Sequence, residues 1–364
     1  MEIRKLPADP LRTVMVLLAE KSVIKPAALV AQLKGCGLSF CGAVFPSLIF
    51  GNQTKDDGVI LLNLPVHAPP VLIQDLTGGK TSHTGLANLP KLNEKDTVLV
   101  LVDGLSAGTE LLLEMLRKQL GNAPRYFGGG AGSGSLQPMP CIFNNNGVYQ
   151  DAALVVPLRQ KSAQGVRHGW LKLAGPFTAT RTNHNTICEL NDYKAFEVYR
   201  AVVEADNKIL VTPENFSAIG PSYPFGIIKE YAERIVRDPI RTDGEGGLIC
   251  VGDVPQGVAV DILKGDPNSL IKTSAVAARD CLIAHDFICG SVLVADCVSR
   301  RFYLNDRFKE ELTAVAHVLR RHAPGAILEG MLTLGEISTH GKGYLDFFNK
   351  TLVVCALGYE RAVK

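Results

Sequence analysis

The sequence predicts an α/β (α+β) fold of two sandwich-like halves, in which mixed or antiparallel sheets are flanked by helices and are built from related βαββ units. Three observations predict this fold. An apolar strand, a helix and a second strand recur three times along the chain, and each time a further apolar strand follows. Some consecutive strands have no helix between them, which favours mixed sheets over a purely parallel sheet. The composition, 46% hydrophobic and 20% charged, is that of a folded globular chain.

The three copies of this pattern are unevenly spaced, because a long insert separates the second copy from the third. The pattern therefore predicts related units whose turns converge, and not a solenoid. If the copies share a fold, Ala43, Gly130 and Gly335 are expected to occupy comparable turns, because each follows the strand after the helix. The segments of the copies are 13–22, 39–45 and 56–65; 97–106, 126–132 and 150–158; and 291–300, 327–337 and 349–358.

Helices are predicted where apolar residues recur at helical spacing or where a capping residue begins the segment. Residues 109–120, for example, place four leucines on one face. The polar segment 159–164 is expected to be an exposed turn. The pattern changes after it, which places a boundary between two domains near residue 190. Further helices are expected at 26–33, 193–204, 269–284 and 307–320.

Composition restricts the classes of partner and the compartment. A chain of 364 residues is too long for one ordinary core. Its net charge of +2 gives no strong attraction to nucleic acid or to an anionic membrane, so neither is expected as a partner. The nine cysteines are scattered without a C-x-x-C pair, which predicts buried thiols in a reduced, cytoplasmic protein. No signal peptide and no run of roughly 20 apolar residues that could span a membrane is visible.

The glycine-rich segment Gly128–Gly132 resembles a phosphate-binding loop but lacks its context. It has no G-x-G-x-x-G spacing and no following Gly-Lys-Ser/Thr, and Pro138 and Pro140 prevent a helix from starting just after it. The favoured interpretation is a strand end at which backbones approach closely, with a small-ligand contact as the alternative.

The segment Gly104–Gly108 matches the nucleophile elbow G-x-S-x-G, with Ser106 between a predicted strand and a predicted helix. A serine hydrolase using Ser106 is therefore an alternative function. It would also need an acid and then a His later in the chain, and none of the later histidines has a distinctive setting. The equivalent turns of the other two copies do not keep the motif.

Three polar residues of the third copy are candidates for a site. Cys297 ends the strand 291–296, Arg300 follows it, and Glu336 lies in the return turn among apolar residues. A buried Glu is costly without a partner and guanidinium pairs with carboxylate, so a contact between Arg300 and Glu336 is predicted. This pair is either structural or holds a charged group of a ligand. Cys297 is either a thiol whose pKa a nearby cation lowers, or a buried strand cysteine, which is the commoner case.

The only tryptophan lies in the segment His168–Trp170. A lone His is more often structural than a metal ligand, and no second His or Cys stands at zinc spacing, so no metal site is expected. A haem needs only one protein ligand on its iron, so spacing alone leaves haem open.

Taken together, these segments resemble the FIST family, named for F-box and intracellular signal transduction proteins, and the chain looks like a stand-alone bacterial-type member. The sequence departs from the family after Gly132, where Ser133 stands and members often carry an Asp. It departs again after Trp170, where Leu171–Leu173 stands and members often have a basic residue and Pro. The motifs that carry the resemblance are Tyr126–Gly132, Gly147–Tyr149, Ala152–Pro157, His168–Trp170, Cys188–Leu190, Ala195–Tyr199, Cys297–Arg300, Gly335–Ile337 and Asn349–Leu352.

The resemblance implies a FIST N-type domain over 1–190 and a FIST C-type domain over 191–364. It implies a non-enzymatic sensory protein of intracellular signal transduction that binds an amino acid or a similar small metabolite at the junction of the two halves. A signalling protein such as a kinase or cyclase is the implied partner. Some bacterial relatives are described as haem-based nitric oxide sensors, so a haem sensor is a second alternative function; no other cofactor is expected.

We expect the ligand site in the third copy, opposite the glycine turn of the other half. Arg300 would bind an anionic group, Glu336 would orient the ligand or bind a cationic group, and Cys297 would line the wall. Glycines would allow close approach, with the Gly128–Gly132 turn facing the cleft. The residues expected to bind the ligand are Arg300, Glu336, Cys297, Gly335, Gly129 and Gly130.

Overall fold

A computed structural model describes residues 9–78, 84–87, 89–230, 232–283, 287–340 and 343–360. The helices predicted from the sequence are all present, and the one over residues 109–120 has the predicted bounds. The helices are α1 (Pro26–Lys34), α2 (Thr84–Ala87), α3 (Thr109–Leu120), α4 (Ala195–Asn207), α5 (Phe216–Ile219), α6 (Pro267–Ile283), α7 (Val298–Leu304) and α8 (Phe308–His322), with 3₁₀ turns at Gly220–Ser222 and Asn305–Arg307.

The strands are mostly short, and the apolar ones lie inside sheets. In chain order they are β1 (Arg12–Ala19), β2 (Phe40–Phe45), β3 (Leu48–Phe50), β4 (Gln53–Lys55), β5 (Val59–Pro65), β6 (Val71–Gln74), β7 (Thr97–Asp103), β8 (Arg125–Ala131), β9 (Ile142–Asn144), β10 (Gly147–Tyr149), β11 (Ala152–Leu158), β12 (Lys161–Arg167), β13 (Leu171–Thr178), β14 (Arg181–Asn183), β15 (Thr186–Leu190), β16 (Tyr193–Lys194), β17 (Phe225–Ile227), β18 (Ile235–Arg237), β19 (Pro239–Thr242), β20 (Leu248–Cys250), β21 (Ala259–Lys264), β22 (Phe287–Cys297), β23 (Leu328–Thr333), β24 (Glu336–His340), β25 (Tyr344–Phe348) and β26 (Leu352–Glu360).

The three predicted units are present and share one pairing pattern. In each unit the first strand pairs in parallel with the strand that returns from the helix, and antiparallel with the last strand. β1 lies between β2 and β5, β7 between β8 and β11, and β22 between β23 and β26. The chain is therefore a mixed α+β protein built from related βαββ units, as its sequence predicts.

Each unit gives a hairpin to a neighbouring unit. The hairpin β3–β4 of the first unit pairs with β23 of the third, β24–β25 of the third pairs with β8 of the second, and β9–β10 of the second pairs with β2 of the first. The three return strands β2, β8 and β23 contact one another. The arrangement approximates threefold symmetry, with the return strands at its centre.

Glycine occupies the same register position in all three return strands. The pairs at this position are Val16–Gly42, Val100–Gly128 and Val294–Gly330. A Cβ added to these glycines would lie only 2.0, 1.8 and 2.1 Å from the carbonyl oxygen of the paired valine, so only glycine fits. The predicted equivalence of Ala43, Gly130 and Gly335 is wrong, because Gly335 lies beyond the end of β23 whereas the other two lie inside β2 and β8.

The insert between the second and third units forms two smaller sheets. Their strand orders are β13-β21-β17-β18 and β14-β15-β20-β19, with β16 added to β15. Aromatic side chains hold α4 to this module, since the Tyr199 ring lies 5.3 Å from that of Phe216 and 5.6 Å from that of Phe225. The Tyr199 hydroxyl donates a 3.0 Å hydrogen bond to the carbonyl oxygen of Tyr223.

Strands from both sides of residue 190 share sheets. One six-stranded sheet has the order β25-β24-β8-β7-β11-β6, and the other has the order β12-β26-β22-β23-β3-β4. The N-terminal and C-terminal regions therefore interlock through backbone hydrogen bonds, and the domain bounds 1–190 and 191–364 stay a prediction.

The polar segment 159–164 is not the exposed turn that its composition predicts. From Lys161 onward it forms β12, which pairs antiparallel with β26 at one edge of the second six-stranded sheet. Local polarity misleads here because an edge strand has one free side and accepts polar residues. Among the helices within the described ranges, none has the length and apolar character that crossing a bilayer requires.

Candidate functional site

The structure brings most of the predicted site residues together at the end of β22. Glu336 lies opposite Gly129 in the β24–β8 pairing, and the Gly130 N–H donates a 2.8 Å hydrogen bond to the Gly335 carbonyl. Cys297 pairs with Thr333 in the β22–β23 ladder, and Thr333 Oγ1 donates a 2.6 Å hydrogen bond to the Glu336 carboxyl group. The glycine segment of the N-terminal region thus faces the turn of the third unit as predicted, but through direct strand pairing and not across a cleft.

Close backbone approach explains the glycine-rich segment. A Cβ at Gly129 would lie 2.6 Å from the Thr333 side chain, and one at Gly130 would lie 2.6 Å from the Leu334 carbonyl oxygen. The interpretation of Gly128–Gly132 as a strand end where backbones approach closely is therefore confirmed.

The predicted pairing of Arg300 with Glu336 is wrong. Arg300 forms a two-pronged ion pair with Glu311 of α8, with its Nε 3.1 Å from Glu311 Oε1, and its Nε also lies 3.4 Å from Asp296 Oδ1. The reason is local: α7 begins directly after Cys297, so Arg300 stands one helical turn beyond Asp296 and meets α8. Two carboxyl groups of its own unit, and not Glu336, therefore surround this guanidinium.

Glu336 is accommodated without a cation partner. Its carboxyl group accepts a 2.6 Å hydrogen bond from Thr333 Oγ1 and a 3.2 Å hydrogen bond from the Thr351 N–H. Burial raises the pKa of Glu336 to about 8, although these hydrogen bonds oppose the shift. The group is therefore mostly protonated near neutral pH, which removes the cost of a buried negative charge.

Asp296 and Cys297 are also shifted toward their neutral forms. Burial, and then the neighbouring Glu311 carboxylate, raises the pKa of Asp296 well above its usual range despite the nearby Arg300. Burial raises the pKa of the Cys297 thiol to about 12. The possibility that a nearby cation lowers the pKa of Cys297 is therefore wrong, and Cys297 is a buried strand cysteine.

Two further family-like motifs join the same network. The Lys350 backbone carbonyl accepts hydrogen bonds from Arg300 Nη1 at 3.1 Å and from Trp170 Nε1 at 3.1 Å. The Lys350 ammonium lies 2.9 Å from an Asp238 carboxylate oxygen and 4.9 Å from the centre of a Trp170 ring. The motifs that looked separate in the sequence thus form one buried polar cluster.

This cluster has no side chain open to solvent. Arg300 and Glu336 are each 0% exposed and Cys297 is 4% exposed. We call Asp296, Cys297, Arg300, Glu311 and Glu336 the buried cluster. Its contacts hold β22, α7, α8 and β24 together, and its role in ligand binding stays a prediction.

An open cavity of about 920 Å³ lies elsewhere, along β12. It is bounded by the start of β8, the end of β24, the end of α6 and the start of β22, so it lies between strands from both sides of residue 190. We call it the β12 groove. Its lining residues are Glu94, Lys95, Arg125, Lys161–Arg167, Ala232, Glu233, Asp280, Phe287, Thr339 and His340.

His340 brings a buried, unsatisfied polar atom to the groove. It is 6% exposed, its Nε2 lies 2.7 Å from Asp346 Oδ2, and its Nδ1 has no hydrogen-bond partner among the residues described. Burial would raise the pKa of Asp346, but the His340 hydrogen bond and the Lys229 charge lower it overall. Asp346 therefore holds Nε2, and Nδ1 is left to a ligand that can form a hydrogen bond with it.

The two ends of the groove differ in charge pairing. At the Arg167 end, the guanidinium is paired with Asp280 and lies 3.5 Å from Glu233. At the other end, the exposed Arg125 side chain makes no hydrogen bond or ion pair with any described residue. Arg125 is thus a cationic group that is available to an anionic ligand.

Ser106 has partners unlike those of a catalytic serine. Its Oγ donates a 2.6 Å hydrogen bond to Asp151 Oδ1 and accepts a 3.2 Å hydrogen bond from the Gly108 N–H. In the elbow mechanism an imidazole would stand where Asp151 does. The arrangement shapes the turn before α3, and a carboxylate there does not by itself make the hydroxyl a nucleophile.

His168 does not fit a haem ligand. Its Nδ1 accepts a 2.9 Å hydrogen bond from the Trp170 N–H, and its Nε2 lies 3.4 Å from the Glu233 carboxylate. Burial, and then the charges of Arg300 and two further arginines, lowers the pKa of His168 to about 3. Both ring nitrogens are occupied by protein groups, so neither is directed at an iron.

Family models cover most of the chain. The FIST N domain model matches residues 15–193, and the FIST C domain model matches residues 195–339. The chain belongs to the FIST family. FIST domains are associated with sensory roles in signal transduction. No curated protein matches the sequence.

Reasoning from the sequence missed the groove of this FIST protein. Arg125 opens a strand noted only for its glycines, and His340 lies between the noted motifs Gly335–Ile337 and Asn349–Leu352. The polar segment 159–164, which enters β12, reads as an exposed turn. The one available signal was the placement of β12, a polar segment between apolar β11 and the family-like His168–Trp170 motif.

Proposed function

We propose that this protein is a sensory protein of intracellular signal transduction that binds a small ligand, an amino acid or a similar metabolite, in the β12 groove. The observation that carries the proposal is the groove itself, an open cavity of about 920 Å³ between strands from both sides of residue 190. Ligand sites favour such concave junctions that present a few convergent polar groups.

The groups in the groove suit a ligand that carries an anionic group and a second polar group. The unpaired guanidinium of Arg125 can bind a carboxylate in a bidentate manner. The Nδ1 atom of His340, which has no hydrogen-bond partner among the described residues, can form a hydrogen bond with a polar group of the ligand. A downstream signalling protein such as a kinase or cyclase would then read the bound state.

A thermal-shift screen of the purified protein against amino acids and related metabolites tests this proposal. A true ligand at 100 times its dissociation constant should stabilise the protein by about 2.7 kcal/mol. The shift should disappear in Arg125→Ala and weaken in His340→Gln.

The matched control is Arg200→Ala, since Arg200 is an exposed arginine on α4 that pairs with Glu197. It should keep the full shift. A shift that survives Arg125→Ala and is lost in Glu336→Gln would move the site back to the buried cluster. No shift with any compound would contradict ligand sensing by this groove.

A further inference from the structure

The free side of β12 runs along the whole groove. Among the strands that the structure describes, β12 is at the edge of its sheet and pairs with β26 alone, and all seven of its residues line the cavity. An edge strand presents a row of backbone N–H and C=O groups on its unpaired side. The Ala163 carbonyl accepts a 3.1 Å hydrogen bond from Cys281 Sγ and the Val166 carbonyl a 3.0 Å hydrogen bond from Arg167 Nη1. The remaining main-chain groups on the free side bound the groove together with side chains.

The free edge of β12 is longer than a single amino acid. Seven residues at about 3.3 Å each extend over roughly 20 Å. The cavity volume of about 920 Å³ is near the upper end of the roughly 300–1,000 Å³ found for pockets that hold drug-sized ligands. A ligand that fills the groove along β12 is several residues long.

The repeat of the edge selects the chemistry of that ligand. The main-chain donors and acceptors of a strand recur at a fixed spacing along it. An extended peptide carries its own donors and acceptors at the same spacing, so it is the ligand that matches this edge. Adding a strand to an exposed edge is an established way in which proteins recognise peptides.

The position of Arg125 indicates where the negatively charged end of such a peptide would bind. Arg125 pairs with Thr97 in the β8–β7 ladder, and the Thr97 hydroxyl contacts the Gln160 carbonyl and Ser162. Arg125 therefore lies near the Lys161 end of β12. His340 lies at the same end, since its neighbour Thr339 accepts a hydrogen bond from the residue after Arg125.

We propose that the β12 groove binds an extended peptide of about five residues as an added strand on β12, with a peptide carboxylate at Arg125. This inference rests on the proposed function, because it names the ligand class of the same groove. The carboxylate is supplied by the peptide C-terminus, whose negative charge meets the unpaired guanidinium.

The test uses the full chain and three probes: a mixed pentapeptide pool with free C-termini, the same pool with amidated C-termini, and a mixture of free amino acids. Binding is measured by thermal shift, and peptides enriched from the first pool are resynthesised singly. The free-carboxylate pool should raise the melting temperature, the amidated pool should do so less, and Arg125→Ala should remove the difference between the two pools.

Two measurements ask whether the peptide adds a strand. A resynthesised peptide is N-methylated at odd positions or at even positions, and one of the two forms should bind about tenfold more weakly for each ladder hydrogen bond lost while the other keeps its affinity. Hydrogen exchange of β12 amides should slow on binding, whereas exchange in β4, at the opposite edge of the same sheet, should not change.

The outcomes separate this inference from the function on which it rests. Binding of free amino acids without binding of peptides would overturn the peptide inference and keep the small-ligand sensor. Equal loss or equal retention of affinity in both N-methylated forms would overturn strand addition. No binding of any of the three probes would overturn both.

Discussion

The buried cluster and the β12 groove lie at opposite ends of β24 and treat polar groups in opposite ways. In the cluster, Arg300 is paired with Glu311, and burial shifts Asp296 and Glu336 toward their neutral forms, so the buried charges are compensated within the chain although the Asp296 oxygens lack hydrogen-bond donors among the described residues. In the groove, Arg125 and His340 Nδ1 stay without partners among the described residues. The difference teaches that conspicuous polar motifs can serve the fold, while the side chains available to a ligand stand outside those motifs, at the start of β8 and the end of β24.

Hydrogen bonds through His168 connect the buried cluster to the β12 groove. The His168 carbonyl accepts a hydrogen bond from Arg300, and the His168 N–H donates a 3.0 Å hydrogen bond to Glu233, which lines the groove. A ligand that displaces Glu233 would therefore act on the backbone that holds the buried cluster.

The largest effect is expected when the cluster loses its cation. Arg300→Met leaves the Glu311 carboxylate buried without its counter-charge, and removing one partner of a buried ion pair costs about 3–5 kcal/mol. Urea unfolding should show this loss of free energy. Arg307→Met removes a half-exposed arginine that pairs with Glu310 and hydrogen-bonds Asn268 of α6, and it should shift the unfolding curve far less than Arg300→Met. A loss below about 1 kcal/mol in Arg300→Met would contradict a structural role for the cluster.

The second prediction concerns the proton on Glu336. Its folded pKa of about 8 lies above the ordinary value of 4.5, so the folded state binds the proton more tightly and stability falls as pH rises from 4.5 to 8. Glu336→Gln should flatten this fall, because the amide can donate to Thr333 and still accept from the Thr351 N–H. Urea unfolding at several pH values measures the slope. Part of it should remain, since Asp296 shifts in the same direction; an unchanged slope would show that Glu336 is ionised when folded.

The third prediction has the opposite sign. The folded pKa of His168, about 3, lies below the ordinary value of 6.5, so the unfolded state takes up the proton first and stability falls as pH drops from 6.5 toward 3. His168→Asn keeps an acceptor for the Trp170 N–H but cannot titrate. Acid unfolding of the variant should be less steep by up to about 1.4 kcal/mol per pH unit. Identical acid slopes in the two proteins would mean that His168 is protonated in the fold.

The smallest effect on stability is expected in the groove. Arg125→Ala removes an exposed side chain without partners among the described residues, so the free energy of unfolding should change by no more than about 0.5 kcal/mol. Thermal and urea unfolding check this expectation. A loss comparable to that of Arg300→Met would place Arg125 in the structural framework and remove the contrast between the two regions.

Local sequence pattern was sufficient to predict the repeated units but not to predict the candidate site. Apolar strands such as β7 and the helix α3 are specified by periodicity, which burial on one or both faces imposes on nearby residues. The glycines at 42, 128 and 330 were visible in the three return strands, but their common register needed the pairing with Val16, Val100 and Val294 to be recognised.

The partner of Arg300 could not be predicted in the same way. Its choice of Glu311 over Glu336 depends on how α7 leaves β22 and on where α8 packs. Both carboxylates are close enough in sequence to be candidates, and only the direction of a side chain in three dimensions separates them.

The sequence by itself determined that this chain folds into three related βαββ units of the FIST family, because strand and helix periodicity and family motifs are local properties. Only the tertiary structure decided that each unit gives a hairpin to its neighbour, that the family-like polar motifs close on one another, and that β12 is left with a free edge. Those outcomes depend on pairing between residues that are distant in the chain. Whether a strand has a free edge depends on whether another strand of the fold pairs with that side.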